Sequence, residues 1–297
     1  MNTLKSILAG TDFSGASRHA AERAAQLARE AGARLTLVHV QSASALSALQ
    51  QLLGRASALE QSLTDEAQRT LDALASDLAK TRGVAVEATL ARGSVLDEID
   101  AQANALQADL VVLGARGAGF MRRLMLGSTA DRLVRRTRHP LLVVRHKPHE
   151  PYRRALVAVD FSPWSVGALE LARRVVPGAH LVLLHAYEVP FEGKLRLAGV
   201  EEATITGYRG QARQVAMHQL QTLAAGAGLR AADWSPCVVH GDAALRIIEQ
   251  EQEHDCDLIV IGKHGQNMAE ELLLGSVTRQ VLAESSGDVL VSTPGRT

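Results

Sequence analysis

Cysteine is almost missing from this chain of 297 residues: two occur, Cys237 and Cys256, both in the second half. Two thiols on one side of a chain cannot form a disulfide framework, and such usage fits a reducing compartment. Net charge is missing as well. The 32 basic residues balance 32 acidic ones, which leaves no overall electrostatic footprint for nucleic acid or an anionic membrane. No apolar run approaches the ~20 residues that span a bilayer. The early run Ile7-Leu8-Ala9 meets Asp12 too soon to be the core of a signal peptide. A cytoplasmic location is expected, with no nucleic-acid and no membrane partner. Nor do the 11 histidines form an H-E-x-x-H or comparable metal-ligating pattern.

What is present is a repeat. Gly114, Gly117, Gly127 and Ser128 return 148 positions later as Gly262, Gly265, Gly275 and Ser276. The same interval joins Asp12 to Asp160, each in an Asp-Phe-Ser triplet, Gly93 to Gly241, and Asp109 to Asp257. His39 and His185 are 146 apart, so a two-residue length difference precedes the second histidine and is recovered afterwards. Landmarks spread through half the chain at one interval mean duplication. Two domains are expected, at residues 1–147 and 153–297. The stretch 148–152 between them holds Pro148 and Pro151 and reads as a linker.

Within each copy, short unbroken apolar runs alternate with helical patterns. The runs Leu35–Val38, Leu110–Leu113 and Leu141–Val144 in copy one suit parallel strands covered on both faces. Leu156–Val159, Leu181–Leu184, Leu258–Ile261 and Val289–Val291 do so in copy two. Leu63, Ala67, Leu71, Leu74 and Leu78 mark one face of a helix. Ser162-Pro163 reads as an N-cap with proline in the first turn, and Ser14 occupies the matching place. This alternation predicts an α/β protein of two doubly wound parallel sheets, whose ligands sit beyond the C-terminal strand ends.

The chemistry concentrates after the fourth strand of each copy: Gly-x-x-Gly, nine residues, then Gly-Ser opening a helix. Without Cβ, glycine can take a positive φ and come close to a ligand, offering backbone amides to phosphate oxygens. A helix start adds unpaired amides, the positive dipole end and a hydroxyl. The loop is not a Walker-type P-loop, since no G-x-x-x-x-G-K-[ST] occurs. It is not a dinucleotide fingerprint either, because it follows the fourth strand and has Arg122 at the final position.

With these residues the chain resembles the universal stress protein family, in its tandem-domain form, over nearly all of both halves. The resemblance implies five-stranded parallel sheets of order 3-2-1-4-5, the adenine nucleotide alpha hydrolase-like fold, and ATP as cofactor, with magnesium accompanying it. It places Thr11, Asp12 and Asp160 beside the adenosine, and Val40 and Ala186 at the adenine. Gly114, Arg116, Gly117, Gly127, Ser128 and Thr129 would hold the phosphates in copy one, and Gly262, His264, Gly265, Gly275, Ser276 and Val277 in copy two. One departure is visible: Pro140 precedes the last strand of copy one, as is typical of the family, and Asp288 stands at the matching position of copy two.

Other residues admit plainer roles. Asp12 and Asp160 have no second acid or nucleophile in their motif and read as helix caps or ribose acceptors. His39 and His185 read as satisfied core histidines, and the two cysteines as buried, inert thiols. No activated water base, arginine finger or acidic metal cluster is readable, so binding with at most weak hydrolysis is expected. Two alternatives stand beside it: a slow ATPase or nucleotidyl-transfer enzyme using Arg116, Lys263 or His264, and an interaction protein with vestigial sites. Arg122-Arg123 correspond to Glu270-Glu271, and Arg136 to Glu284; such opposite charges predict pairing of the two domains, with a homodimer as a further assembly. The segments Gln41–Ala56, with Leu46, Leu49, Leu52 and Leu53, and Tyr187–Tyr208 are long connections, expected to be lids or partner surfaces.

Overall fold

A computed structural model describes residues 3–43, 57–117, 126–265 and 274–293. The chain divides into two compact units, Met1–Pro151 and Tyr152–Thr297. In the first, the chain runs β1 (Ser6–Gly10), α1 (Gly15–Ala31), β2 (Arg34–Ser42), α2 (Ser57–Arg82), β3 (Val86–Gly93), α3 (Val95–Ala105), β4 (Leu110–Gly114), α4 (Ser128–Arg136) and β5 (Leu141–Val144). Its strands lie in the order β3-β2-β1-β4-β5, all parallel.

The second unit repeats this with β6 (Arg154–Ala158), α5 (Pro163–Val175), β7 (His180–Tyr187), α6 (Glu192–Leu197), α7 (Glu202–Gly226), β8 (Trp234–His240), α8 (Ala243–Glu253), β9 (Leu258–Gly262), α9 (Ser276–Glu284) and β10 (Asp288–Ser292). Its order is β8-β7-β6-β9-β10, again all parallel. The register repeats with the sequence: Leu8 opposes Val111 in the first sheet and Leu156 opposes Ile259 in the second, both members displaced by the same 148 positions. In each sheet the connections leave the central strand in opposite directions on its two sides, which opens a crevice between β1 and β4 and between β6 and β9.

Burial explains which strands the sequence announces. Ile7, Leu8, Ala9 and Leu110 to Val112 are fully buried, as are Leu156, Val157 and Leu258 to Val260, because helices cover both faces of the central strands. The outer strands β3 and β8 are partly exposed along most of their length, so neither shows an unbroken apolar run. In α2, Leu71 and Leu78 are fully buried and Leu74 nearly so, whereas Leu63 is 38% exposed; the helix leaves the sheet towards its N-terminal end.

Helix starts follow local chemistry. Ser14 caps α1 by accepting from Ser17 N, and Gly32 ends it in the left-handed region. Ser162 occupies the N-cap of α5 with Pro163 following, yet its hydroxyl donates to Asp160 Oδ1 instead of capping. At the last strand of the second unit, Asp288 is buried, and Tyr152 Oη donates to its Oδ2 at 2.5 Å. Here the carboxylate occupies the place of the proline without disturbing β10, which pairs with β9 over its whole length. Both cysteines are buried, and burial pushes their thiols up, Cys237 to about 11 and Cys256 to about 12, so they stay protonated near neutral pH.

Arg136 and Glu284 find partners within their own units: Arg136 pairs with Asp97 and Asp100, and Gln280 Nε2 donates to Glu284. Arg122-Arg123 and Glu270-Glu271, and Leu46 to Leu53, lie outside the described residues.

Candidate nucleotide sites

Each unit has a cavity at the C-terminal ends of its central strands, of about 290 Å³ in the first and about 360 Å³ in the second. In the first, Thr11 and Asp12 follow β1 and Val40 lies on β2. The loop after β4 brings Gly114, Arg116 and Gly117, and the start of α4 brings Gly127, Ser128 and Thr129. In the second, Asp160 follows β6, Ala186 lies on β7, Gly262, His264 and Gly265 come from β9 and its loop, and Gly275, Ser276 and Val277 open α9. Every residue that the resemblance assigns to the nucleotide therefore lines one of these two cavities, whereas Lys263, named for the enzyme alternative, does not.

The Asp-Phe-Ser turns are built alike. Asp12 Oδ1 accepts from Ser14 N at 3.0 Å, and Asp160 Oδ1 accepts from Ser162 N at 3.0 Å; this is the Asx turn that short acidic side chains form with the chain two residues on. In the second unit the same oxygen also accepts from Ser165 Oγ at 2.6 Å. The turn forces Phe13 and Phe161 into the left-handed region, at φ 65° and 61°, a conformation that costs a side-chain-bearing residue about 1–2 kcal/mol. A ring on the neighbouring strand supports each: His39 lies 4.2 Å from Phe13, and His185 4.4 Å from Phe161, centroid to centroid.

The histidines are fixed in turn. His39 Nδ1 donates to Thr11 O and His185 Nδ1 to Val159 O, each at 2.8 Å. Burial pushes His185 below the usual histidine range, outweighing the Val159 carbonyl and Asp160, so it is neutral at pH 7. Both are satisfied by these bonds, but they are half-buried beside the turn and not in the core.

The glycines act by close approach. None of the six motif glycines has a positive φ; among the glycines near the sites that conformation belongs to Gly93 and Gly241, at 152° and 127°, where the chain turns into α3 and α8. A Cβ on Gly117 would stand 2.8 Å from Asp12 Oδ2, and one on Gly265 3.0 Å from Asp160 Oδ2. One on Gly114 would meet the Ala16 backbone at 2.8 Å. The loop thus lies against the turn after the first strand, with no room for a side chain between them. Gly127 N donates to Ala115 O at 2.7 Å and Gly275 N to Lys263 O at 3.0 Å, which pins each helix start to the end of its strand. Neither helix has a side-chain cap, so the amides of its first turn are presented with the positive end of the dipole to the cavity.

Sequence reading missed the apolar side of each cavity. Val95 and Ile99 of α3 stand with Val38 and Leu113 in the first, and Ala243 and Ile247 of α8 with Leu184 and Ile261 in the second. The signal was available, because Val95 and Ile99 map onto Ala243 and Ile247 at the same 148-residue interval. Each cavity therefore has an apolar slot at one end and glycine backbone, hydroxyls and a helix start at the other. A flat apolar ring joined to an anionic group fits that division.

Comparison with known proteins places the architecture. The model of the universal stress protein family matches twice, at residues 3–145 and 151–293. A universal stress protein of Mycolicibacterium smegmatis is 28% identical over 303 residues, covering 97% of both chains. Universal stress protein MJ0531 of Methanocaldococcus jannaschii is 30% identical over 149 residues, covering 50% of this chain and 86% of its own. The crystal structure of a universal stress protein from Archaeoglobus fulgidus superposes with a TM-score of 0.71 at 20% identity, covering 98% of each chain, a likeness of fold.

Proposed function

The chain belongs to the universal stress protein family, and from that premise we propose that each of its two domains binds an adenine nucleotide, ATP in particular, as a regulatory binding module of the stress response. The observation that carries the reading is the coincidence, in both units, of a crevice cavity with the repeated glycine loop, the uncapped helix start and the Asp-Phe-Ser turn. The residues suit the ligand. A Cβ would fill the space between Gly117 and Asp12 or between Gly265 and Asp160. The adenine would take the apolar slot beside Val40 or Ala186, the ribose would meet Asp12 or Asp160, and the phosphates the loop and helix start.

Among the described residues no group of three or more His, Cys, Asp and Glu is placed to hold a metal ion. Magnesium would therefore arrive on the phosphates, with one of the aspartates as its nearest carboxylate. Hydrolysis needs a base or water-positioning group and a cation on the transferred phosphoryl; the rings of His39 and His185, fixed by Nδ1 to backbone carbonyls, pack against Phe13 and Phe161, and His185 does not line the second cavity. Binding without fast turnover is the reading this supports. Denaturing the purified full chain and assaying released nucleotide, together with calorimetric titration of ATP, tests it. About two equivalents per chain are expected, and neither carried nor added adenine nucleotide being bound would overturn it.

A further inference from the structure

The first domain's cavity has a neighbour. A hollow of about 450 Å³ lies against it, lined among others by Ser42, Ser94 and Arg132, and Val95, Ser128 and Thr129 belong to the walls of both. The first cavity, at about 290 Å³, is at the small end of the range for ligand pockets; joined to its neighbour it lies well inside that range. The added wall is hydroxyl-rich, with one cation, Arg132, placed one helical turn after Ser128 on α4. Among the described residues Arg132 makes no ion pair with the acidic face of α3, where Asp97 accepts from the Ser94 hydroxyl. Arg136, a further turn along, binds Asp97 at 2.5 Å and Asp100 at 3.0 Å, and Arg132 adds only a longer-range attraction to Asp97.

The second domain has lost these features at matching positions. Ser94 becomes Asp242, Thr129 becomes Val277 and Arg132 becomes Gln280, each 148 residues on. Ser42, carried over at the 146-residue interval of the second strands, becomes Glu188. One cation and three hydroxyls are replaced by two carboxylates, an amide and an apolar side chain. Asp242 also caps α8 by accepting from Leu245 N at 3.0 Å, one residue before Ala243 of the cavity wall.

Resting on the nucleotide reading above, we propose that the two domains sort adenine nucleotides by charge: the first carries at Arg132 a subsite for a phosphate group beyond the glycine loop, and the second does not. The group could be the tail of the same nucleotide or the far phosphates of a dinucleotide; the chemistry at Arg132 is the same. Arginine offers phosphate a forked pair of charged donors. Because Arg132 is exposed, salt should weaken the preference.

Titration of the full chain carrying Gly265→Val, which closes the second site, tests this with AMP, ATP and diadenosine tetraphosphate at low salt. One equivalent should bind, and the more highly charged probe should bind about tenfold tighter than AMP. Arg132→Gln should cut that preference severalfold, leaving what the loop and helix start supply, Arg132→Lys should cut it less, and raised salt should reduce it. Loss of preference for ATP as well as the dinucleotide assigns the subsite to the tail of one nucleotide; loss for the dinucleotide alone assigns it to the second. One equivalent of ATP bound with the same preference in Arg132→Gln would overturn the subsite and leave the nucleotide reading standing. No binding of any probe by the unsubstituted chain would overturn both.

Discussion

Gly117 stands so close to Asp12 that a single added carbon would come within 2.8 Å of the Oδ2 carboxylate oxygen, and Gly265 stands to Asp160 in the same relation at 3.0 Å. The contact joins the loop after the fourth strand to the turn after the first, across the crevice where the ligand is proposed to lie. A side chain there can displace the flexible carboxylate only by moving it within the site. Gly117→Val should therefore abolish binding in the first domain and Gly265→Val in the second, each lowering the calorimetric stoichiometry from two to one. Gly117 is exposed, so the change in stability should stay within about 1 kcal/mol. Unaltered stoichiometry in either variant would separate the glycine loop from the ligand.

Gly114 makes a different demand. The atoms facing its missing Cβ are the Ala16 carbonyl carbon and oxygen, both at 2.8 Å, and these belong to the backbone of α1. At Gly262 the matching contacts are looser, with His264 O at 3.0 Å and Trp164 Cβ at 3.4 Å. Overpacking against backbone costs roughly 1–3 kcal/mol, so Gly114→Ala should destabilise the first domain by about that amount, and Gly262→Ala the second by less. All tryptophans and tyrosines lie between Tyr152 and Trp234. The first domain should therefore unfold in urea as a transition seen by circular dichroism and silent in fluorescence. Equal shifts for the two variants would count against this account.

Much of this was legible because duplication supplies its own control. The 148-residue interval that links Gly114 to Gly262 also links Leu8–Val111 to Leu156–Ile259 in the strand register. Buried central strands show as unbroken apolar runs, but β3 and β8 do not, since an edge position leaves part of each strand in water. The role of the motif glycines was only half legible. Sequence shows where a side chain is absent, not whether the cause is φ or a neighbour, and here it is a neighbour. The apolar slot escaped notice because Val95 and Ile99 look like any core pair on a helix; only their position beside the loop makes them a wall.

The long connection after β7 is held by charge. α6 has no buried residue; Glu192 binds it to Arg209 on α7, and His240 Nε2 at the end of β8 meets the same carboxylate at 2.8 Å. The hydrogen bond from Arg209 is the main cause that holds the Glu192 carboxyl down at about 2, from an ordinary 4.5. A folded-state value below the unfolded one means that the stabilisation is complete above about pH 4.5 and fades as the pH falls towards 2. Protection of the amides across Glu192–Leu197, taken relative to their intrinsic exchange rates, should therefore fall on acidification through that window, and Glu192→Gln should show the lower protection already at pH 7. Equal exchange in Glu192→Gln and the unsubstituted chain would mean that α6 is held by something else.

Tyr152 and Asp288 test how the second domain replaces the proline found at Pro140. Both are buried, and the phenol donates to the carboxylate at 2.5 Å, across 136 residues of chain. The bond ties the start of the domain to the first residue of its last strand. Removing a hydroxyl that donates to a buried carboxylate withdraws a charge-assisted bond, so Tyr152→Phe should cost about 1.5–3 kcal/mol. Asp288→Asn keeps an acceptor oxygen and should cost less. Asp288→Pro restores the residue of the first domain but strands the phenol and removes an amide from β10, so it should be at least as damaging as Tyr152→Phe. Trp164 and Trp234 both lie in this domain, so urea unfolding followed by their fluorescence reads its stability directly. If Asp288→Pro proved as stable as the unsubstituted chain, the buried pair would be an ornament of the strand and not its anchor.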